Sequence, residues 1–134
     1  MSLYTRDHWI SFGDCDPAGI VYYPNYFKWM DTCFHAFLAD CAGGHAALCA
    51  ELGSRGLGLM EAKLAFRSPG LEGQTVTYSI DAITWSGRAF DIAYSARVGE
   101  RLLLEGHERR GVFIERDGRL TAGDVAPLKA LLAA

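Results

Sequence analysis

With 134 residues, half of them hydrophobic and 22% charged, the chain has the length and composition of one globular domain with a proper core, and it is too short for two. Thirteen basic against sixteen acidic side chains give a net charge of −3 with no basic run. That balance argues against nucleic acid as a partner, because phosphate neutralisation needs clustered Lys and Arg, and no apolar stretch approaches the ~18 residues of a bilayer span, so no membrane partner is expected either.

The opening MSLYTRDHWI lacks the apolar core of a signal peptide, and the protein is expected to stay in the cytoplasm. Tyr4 to Phe12, rich in aromatic and β-branched residues, reads as a first strand, and Gly13 to Pro24 as a loop marked by Asp16-Pro17 and Gly19. From Tyr26 to Cys41 the period becomes helical. Tyr26, Trp29, Met30, Cys33, Phe37 and Cys41 share one face; Lys28, Asp31, Thr32 and His35 share the other. Pro24 suits the first turn and Asn25 is a candidate cap. Gly43-Gly44 ends this helix, and His45 to Leu52 reads as a short second one. Cys15, Cys33, Cys41 and Cys49 form no CxxC pair and read as buried thiols in a reducing compartment. A metal at Cys41, His45 and Cys49 is disfavoured because Gly43-Gly44 breaks the helix that would align them.

After Gly58 the period is two. Met60, Ala62, Leu64 and Phe66 alternate with polar or small residues, as do Val76 to Ala82 and Phe90 to Val98, and Arg101 to Glu115 gives a last strand. Ser68-Pro69-Gly70, Ser86-Gly87 and Val98-Gly99-Glu100 are the turns between them. Pro127 to Ala134 reads as a weak terminal helix. One strand, one long helix and four strands in hairpin succession predict an α+β fold, an antiparallel sheet with an amphipathic helix laid across it, because each apolar face needs the other. Residues 1–134 are expected to form one domain.

The segment from Gly13 to Asp31, GDCDPAGIVYYPNYFKWMD, places two carboxylates immediately before the long helix. It is no calcium loop, since Ala18 stands where an oxygen ligand belongs and Asn25 where a bidentate Glu belongs, and the chain carries neither a dinucleotide fingerprint nor a GxSxG elbow. No cofactor or metal is expected. Two readings of the aspartates remain. In one, Asp14 and Asp16 order the turn; in the other, Asp16 sits against a partly dry cleft as a reactive carboxylate, while Tyr23, held extended by the following Pro24, turns its backbone N–H toward a substrate carbonyl at the positive helix end. That machinery suffices for a thioester, whose thiolate leaves without much acid assistance, and would be weak for an amide.

The same nineteen-residue run, with Asp-Pro and Pro-Asn-Tyr in register, resembles the signature of the 4-hydroxybenzoyl-CoA thioesterases of the hotdog superfamily. The resemblance implies a hotdog fold, a curved antiparallel sheet wrapped around the long helix, and acyl-CoA hydrolysis by carboxylate catalysis. By position, Asp16 matches the family's catalytic carboxylate, Tyr23 the residue whose N–H polarises the thioester carbonyl, and Gly19 the turn that shapes the pocket. Asp31 matches the aspartate that meets the 4-hydroxyl of the substrate; on the helix pattern alone it reads as a solvated residue near Lys28 and His35. The resemblance further implies homodimers with shared sites, assembled into tetramers. One departure concerns the nucleotide. Where the family clusters cations after Trp85, this chain has Arg88 alone, so either the nucleotide is held less tightly or Arg109, Arg110 or Arg67 compensates. A broad short-chain acyl-CoA thioesterase, a hotdog hydratase using Asp40 and His45, and a non-catalytic acyl-CoA-binding module are the competing readings.

Overall fold

The computed structural model describes residues 2–132. In chain order they form β1 (Tyr4–Trp9), a 3₁₀ turn (Phe12–Asp14), α1 (Pro24–Ala42), α2 (His45–Leu52), β2 (Gly56–Phe66), β3 (Thr75–Ser86), β4 (Ala89–Val98), β5 (Arg101–Arg116), β6 (Arg119–Gly123) and α3 (Ala126–Leu132). All strand pairs are antiparallel, in the order β1-β3-β4-β5-β2, with β6 pairing the far half of β5. This is the hotdog arrangement the sequence implies, an α+β fold in which the curved sheet wraps one long helix.

The helix forms where the 3.6 period is cleanest. Tyr26, Trp29, Met30, Cys33, Phe34, Phe37 and Leu38 are buried, a stripe wider than the expected one because it takes in Phe34 and Leu38, while Cys41 at its end is exposed. Of the four thiols only Cys33 is fully buried. Opposite lie the inward residues of the sheet: Val76, Tyr78 and Ile80 of β3, and Phe90, Ile92, Tyr94 and Ala96 of β4. Gly106 lets the layers meet. A Cβ there would stand 2.8 Å from Met30 Sδ and 2.9 Å from Leu64 Cδ2, so a side chain would force those two core side chains to move.

Several boundaries move. The first strand stops at Trp9, since Ile10 onward turns into the 3₁₀ segment. β2 begins at Gly56 rather than Met60, and a bulge between Leu59 and Glu61 rotates Leu59 and Met60 outward. The sheet holds five strands after the helix rather than four. The Asp117-Gly118 hairpin, with φ of 52° and 76°, folds β6 back on β5, which is the turn chemistry that this dipeptide favours. The terminal helix starts at Ala126, and its expected last two residues lie outside the described ones.

Candidate active site

The loop before α1 is a small hairpin. Cys15 and Val21 form an antiparallel bridge, and the Tyr22 N–H donates to the Asp14 carbonyl at 2.9 Å. Its tip is Asp16-Pro17-Ala18-Gly19. The Gly19 N–H donates to the Asp16 carbonyl, and the Asp16 N–H to that of Ile20, both at 2.9 Å. Gly19 closes the turn at φ +81°, the left-handed region that a side chain would resist.

The two aspartates divide the roles that the sequence leaves open. Asp14 orders the turn. Its Oδ2 accepts from the Ser11 N–H at 3.0 Å and lies 3.1 Å from His8 Nε2; burial pushes its carboxyl up, but the Ser11 and His8 contacts outweigh it and hold the group below the ordinary carboxylate range. Asp16 is half-buried, and its Oδ1 accepts the Ala18 N–H at 2.9 Å. Among the described residues Oδ2 has no partner. The carboxylate is thus fixed by one oxygen and open at the other.

Tyr23 is the N-cap of α1, not Asn25, whose amide instead donates to the Asp14 carbonyl at 2.9 Å. Nor is Tyr23 extended: at φ −56°, ψ −33° it already has helical geometry, overriding the bias of a residue before proline. The expected N–H is nevertheless the one left over. Pro24 has none, and the Asn25 and Tyr26 N–H groups donate to the carbonyls of Tyr22 and Tyr23 at 3.0 and 3.1 Å. The Tyr23 N–H meets no acceptor among the described residues, at the positive end of a nineteen-residue helix. Tyr23 also lines a cleft of about 350 Å³ with Ile20, Val21, Tyr26, Phe66 and Pro69, and Arg67 stands at its rim.

Asp31 lies about two turns further along α1, at the other end of β2. It is half-exposed, but more than a solvated residue: Arg110, buried to 3% exposure, donates from Nη2 to Asp31 Oδ1 at 2.7 Å, and His35 Nε2 is 3.5 Å from the same oxygen. His35 and then Arg110 hold its carboxyl down to about 2, against the upward push of burial. Arg110 is therefore unavailable to a nucleotide. Arg109 is likewise engaged, 2.9 Å from Asp91, and Arg67 lies 3.8 Å from Glu105. The cation beside Arg88 is one the sequence reading passes over. Arg88 and Arg116 line a second cleft of about 410 Å³ with Gly87, Thr121 and Asp124, and neither forms an ion pair among the described residues. Asp117-Gly118, the hairpin signal that brings Arg116 there, was available in the sequence. Asp40 accepts from the Tyr4 hydroxyl, and His45 Nε2 accepts the Leu57 N–H at 3.1 Å, so both groups of the hydratase reading have structural bonds.

The family model of the thioesterase-like superfamily matches residues 10–132. A segment of 37 residues is 49% identical to the 4-hydroxybenzoyl-CoA thioesterase of Pseudomonas sp. (strain CBS-3), a match that spans 28% of this chain and 26% of that protein. The crystal structure of the same enzyme superposes over 95% of this chain and 96% of its own, at TM-score 0.83 and 28% identity. An aspartate-to-asparagine mutant of 4-hydroxybenzoyl-CoA thioesterase complexed with 4-hydroxybenzoyl-CoA superposes over 96% of both chains at TM-score 0.83 and 27% identity. A gentisyl-coenzyme A thioesterase superposes over 97% of this chain and 99% of its own, at TM-score 0.77 and 26% identity. No helix among the described residues is long and apolar enough to cross a membrane. The chain belongs to the thioesterase-like superfamily.

Proposed function

We propose that this member of the thioesterase-like superfamily hydrolyses an aryl-CoA thioester, 4-hydroxybenzoyl-CoA or a close hydroxylated analogue, to the free acid and CoA. The observations that carry the reading are a carboxylate with one open oxygen, Asp16 at the tip of the short hairpin before α1, and an unclaimed N–H, that of Tyr23 at the start of the helix the hairpin leads into. The relatives named for 4-hydroxybenzoyl-CoA and gentisyl-CoA supply the aryl class.

In this mechanism the thioester carbonyl accepts the Tyr23 N–H. The helix N-terminus stabilises the oxyanion that forms as the carbonyl carbon is attacked. Asp16 either attacks the carbonyl carbon, expelling the CoA thiolate and leaving a mixed anhydride that water then hydrolyses to the free acid, or takes the proton of a water that attacks as the thiolate leaves. Gly19 keeps the turn in the conformation that aims Asp16. Arg88, with Arg116 beside it, meets the phosphates of the CoA nucleotide, for which guanidinium geometry is suited.

The site is completed by a second copy. β2 is an edge strand of eleven residues that exposes Leu59, Met60 and Phe66, a surface that pairing would cover. It runs from the Asp31 end, where Arg110 donates to the Leu57 carbonyl, to the cleft end at Phe66. An antiparallel two-fold pairing exchanges those ends and brings the partner subunit's Asp31 toward the cleft beside Tyr23. Phe90 pairs with Arg110 across β4 and β5, so Arg88 lies at the same end of the sheet and comes from the partner too. The family resemblance extends the dimer to a homotetramer.

The test is thiol release from a panel of 4-hydroxybenzoyl-, benzoyl-, gentisyl- and short-chain acyl-CoAs, with sedimentation at the assay concentration. The highest kcat/KM is expected on the hydroxylated aryl esters, from an oligomer. Equal rates on acetyl-CoA would move the reading to a broad short-chain thioesterase, and no thiol from any ester would leave an acyl-CoA-binding module. An active monomer would exclude the shared site.

A further inference from the structure

Glu108 and Arg110 sit at inward positions of β5, in the parity of Leu104 and Val112, where the sheet otherwise presents apolar groups to α1. They are 1% and 3% exposed. Each of the three guanidinium nitrogens of Arg110 donates. Its Nε and Nη2 each donate to Glu108 at 3.0 Å, its Nη1 donates to the Leu57 carbonyl at 3.0 Å, and Nη2 also donates to Asp31 at 2.7 Å. The guanidinium lies 4.4 Å from the centre of the Phe34 ring. Glu108 is fixed in turn by the Tyr94 hydroxyl, which donates to it at 2.6 Å. A buried ion pair is roughly neutral for stability against apolar residues of similar volume, so packing alone does not account for this one. What distinguishes it is its fourth contact, which leaves the core and ends on a half-exposed carboxylate.

We infer that Arg110 is a positioning residue for substrate selection: braced by Glu108 and Tyr94, it holds Asp31 by Oδ1 and presents Oδ2 to the ring hydroxyl of an aryl-CoA. The inference rests on the proposed role of Asp31 as the acceptor of that hydroxyl. Arg110 and His35 both approach Oδ1, and Oδ2 has no partner among the described residues. An unbraced aspartate on a helix surface moves among rotamers and loses part of its hydrogen-bond selectivity to that freedom. Here the ordering is done when the protein folds, before substrate arrives. Lysine cannot substitute for the arginine, because one ammonium cannot span Glu108, the Leu57 carbonyl and Asp31 in a plane.

The test is the ratio of kcat/KM for 4-hydroxybenzoyl-CoA to that for benzoyl-CoA in the parent, Asp31→Ala, Arg110→Lys and the double variant. The parent is expected to prefer the hydroxylated ring by about tenfold, and Asp31→Ala to abolish the preference. Arg110→Lys should lose most of it, while its kcat on benzoyl-CoA stays within about twofold of the parent. The double variant should match Asp31→Ala alone, since two residues acting through one contact are not additive. Should Arg110→Lys not fold, Arg110→Met combined with Glu108→Gln removes both buried charges, leaves Tyr94 an acceptor, and should show the same loss. If Asp31→Ala abolishes the preference and the Arg110 variants keep it, or lower both substrates equally, the positioning role is overturned and the proposed role of Asp31 stands. If the parent shows no preference, or Asp31→Ala does not alter it, the role of Asp31 fails and the positioning role with it.

Discussion

The hairpin before α1 and the polar cluster under its middle both set a carboxylate beside the same helix, and they do it by opposite means. Around Asp16 the bonds are local: the carboxylate is held by an N–H two residues on, and the longest side-chain link in the hairpin, Asn25 to Asp14, spans eleven positions. Asp31 is held by a residue 79 positions away, which is itself tied to a carbonyl 53 positions back. The first arrangement is solvated and tolerates a change of charge. The second is buried, and each member depends on the others for its partners. A local site can therefore lose its chemistry without losing the fold, whereas the cluster couples selectivity to stability.

The sharpest way to break that comparison is to neutralise each carboxylate in place. Asp16→Asn keeps the bond from the Ala18 N–H and removes nucleophile and base together. Turnover on the preferred ester should fall roughly 10³-fold or more, with the melting temperature unchanged. Turnover close to the parent's would move the chemistry away from Asp16. Glu108→Ala should act the other way. It leaves the Arg110 charge, 3% exposed, without its main partner and the Tyr94 hydroxyl without an acceptor. Breaking such a pair from one side costs about 3–5 kcal/mol, to be read from denaturant unfolding. A loss below about 1 kcal/mol would mean that water or another group compensates the buried arginine.

The same contrast decides what was legible before folding. Turn chemistry and helix period are encoded in neighbouring residues, so Gly19, Pro24 and the start of α1 could be placed from the chain itself. The expected extended conformation of Tyr23 differs from the helical one found because the proline rule is a bias that the hairpin overrides, yet its N–H is free for a reason also written locally: it stands at the helix start that Pro24 marks, ahead of the first intrahelical bonds. Arg110, one of three arginines that could compensate at the nucleotide, is instead tied up in the core, because its burial is a property of the sheet. The available signal was parity: Leu104, Gly106, Glu108, Arg110 and Val112 fall on one face, and charges in a core register mark a paired, buried site. Arg116 lies one residue past the expected end of its strand, and the β6 hairpin that follows it was missed, although Asp117-Gly118 announced the turn.

The nucleotide end of the site sharpens the comparison at intermediate strength, because Arg88 and Arg116 come from two hairpins that only the sheet brings together. Arg88→Ala and Arg116→Ala should each raise KM for CoA esters by about three- to tenfold and leave kcat within about twofold, as expected where a contact serves ground state and transition state alike. Thioesters of N-acetylcysteamine, which lack the nucleotide, should be indifferent to both changes. Equal damage on those short esters would show that the two arginines support the fold of the hairpins instead of binding phosphate.

The smallest expected effect tests whether the hold on Asp31 persists in solution. Its carboxyl is lowered from 3.8 to about 2, first by His35 and then by Arg110. A folded-state value below the unfolded one means that the ionised form is favoured in the folded protein. The resulting stability is fully present above about 3.8 and disappears as the pH falls through the folded value near 2. Asp31→Asn has no such proton to take up. The parent should therefore melt above the variant at about pH 4, and the margin should close between there and about 2. It should be small, because Asp31 is half-exposed and solvent screens an ion pair at that depth. Added salt should narrow it only partly, since the Arg110 end of the pair is buried and poorly screened. A margin that does not close in acid would mean that the asparagine variant differs through packing or lost hydrogen bonds, and that Asp31 carries no depressed carboxyl.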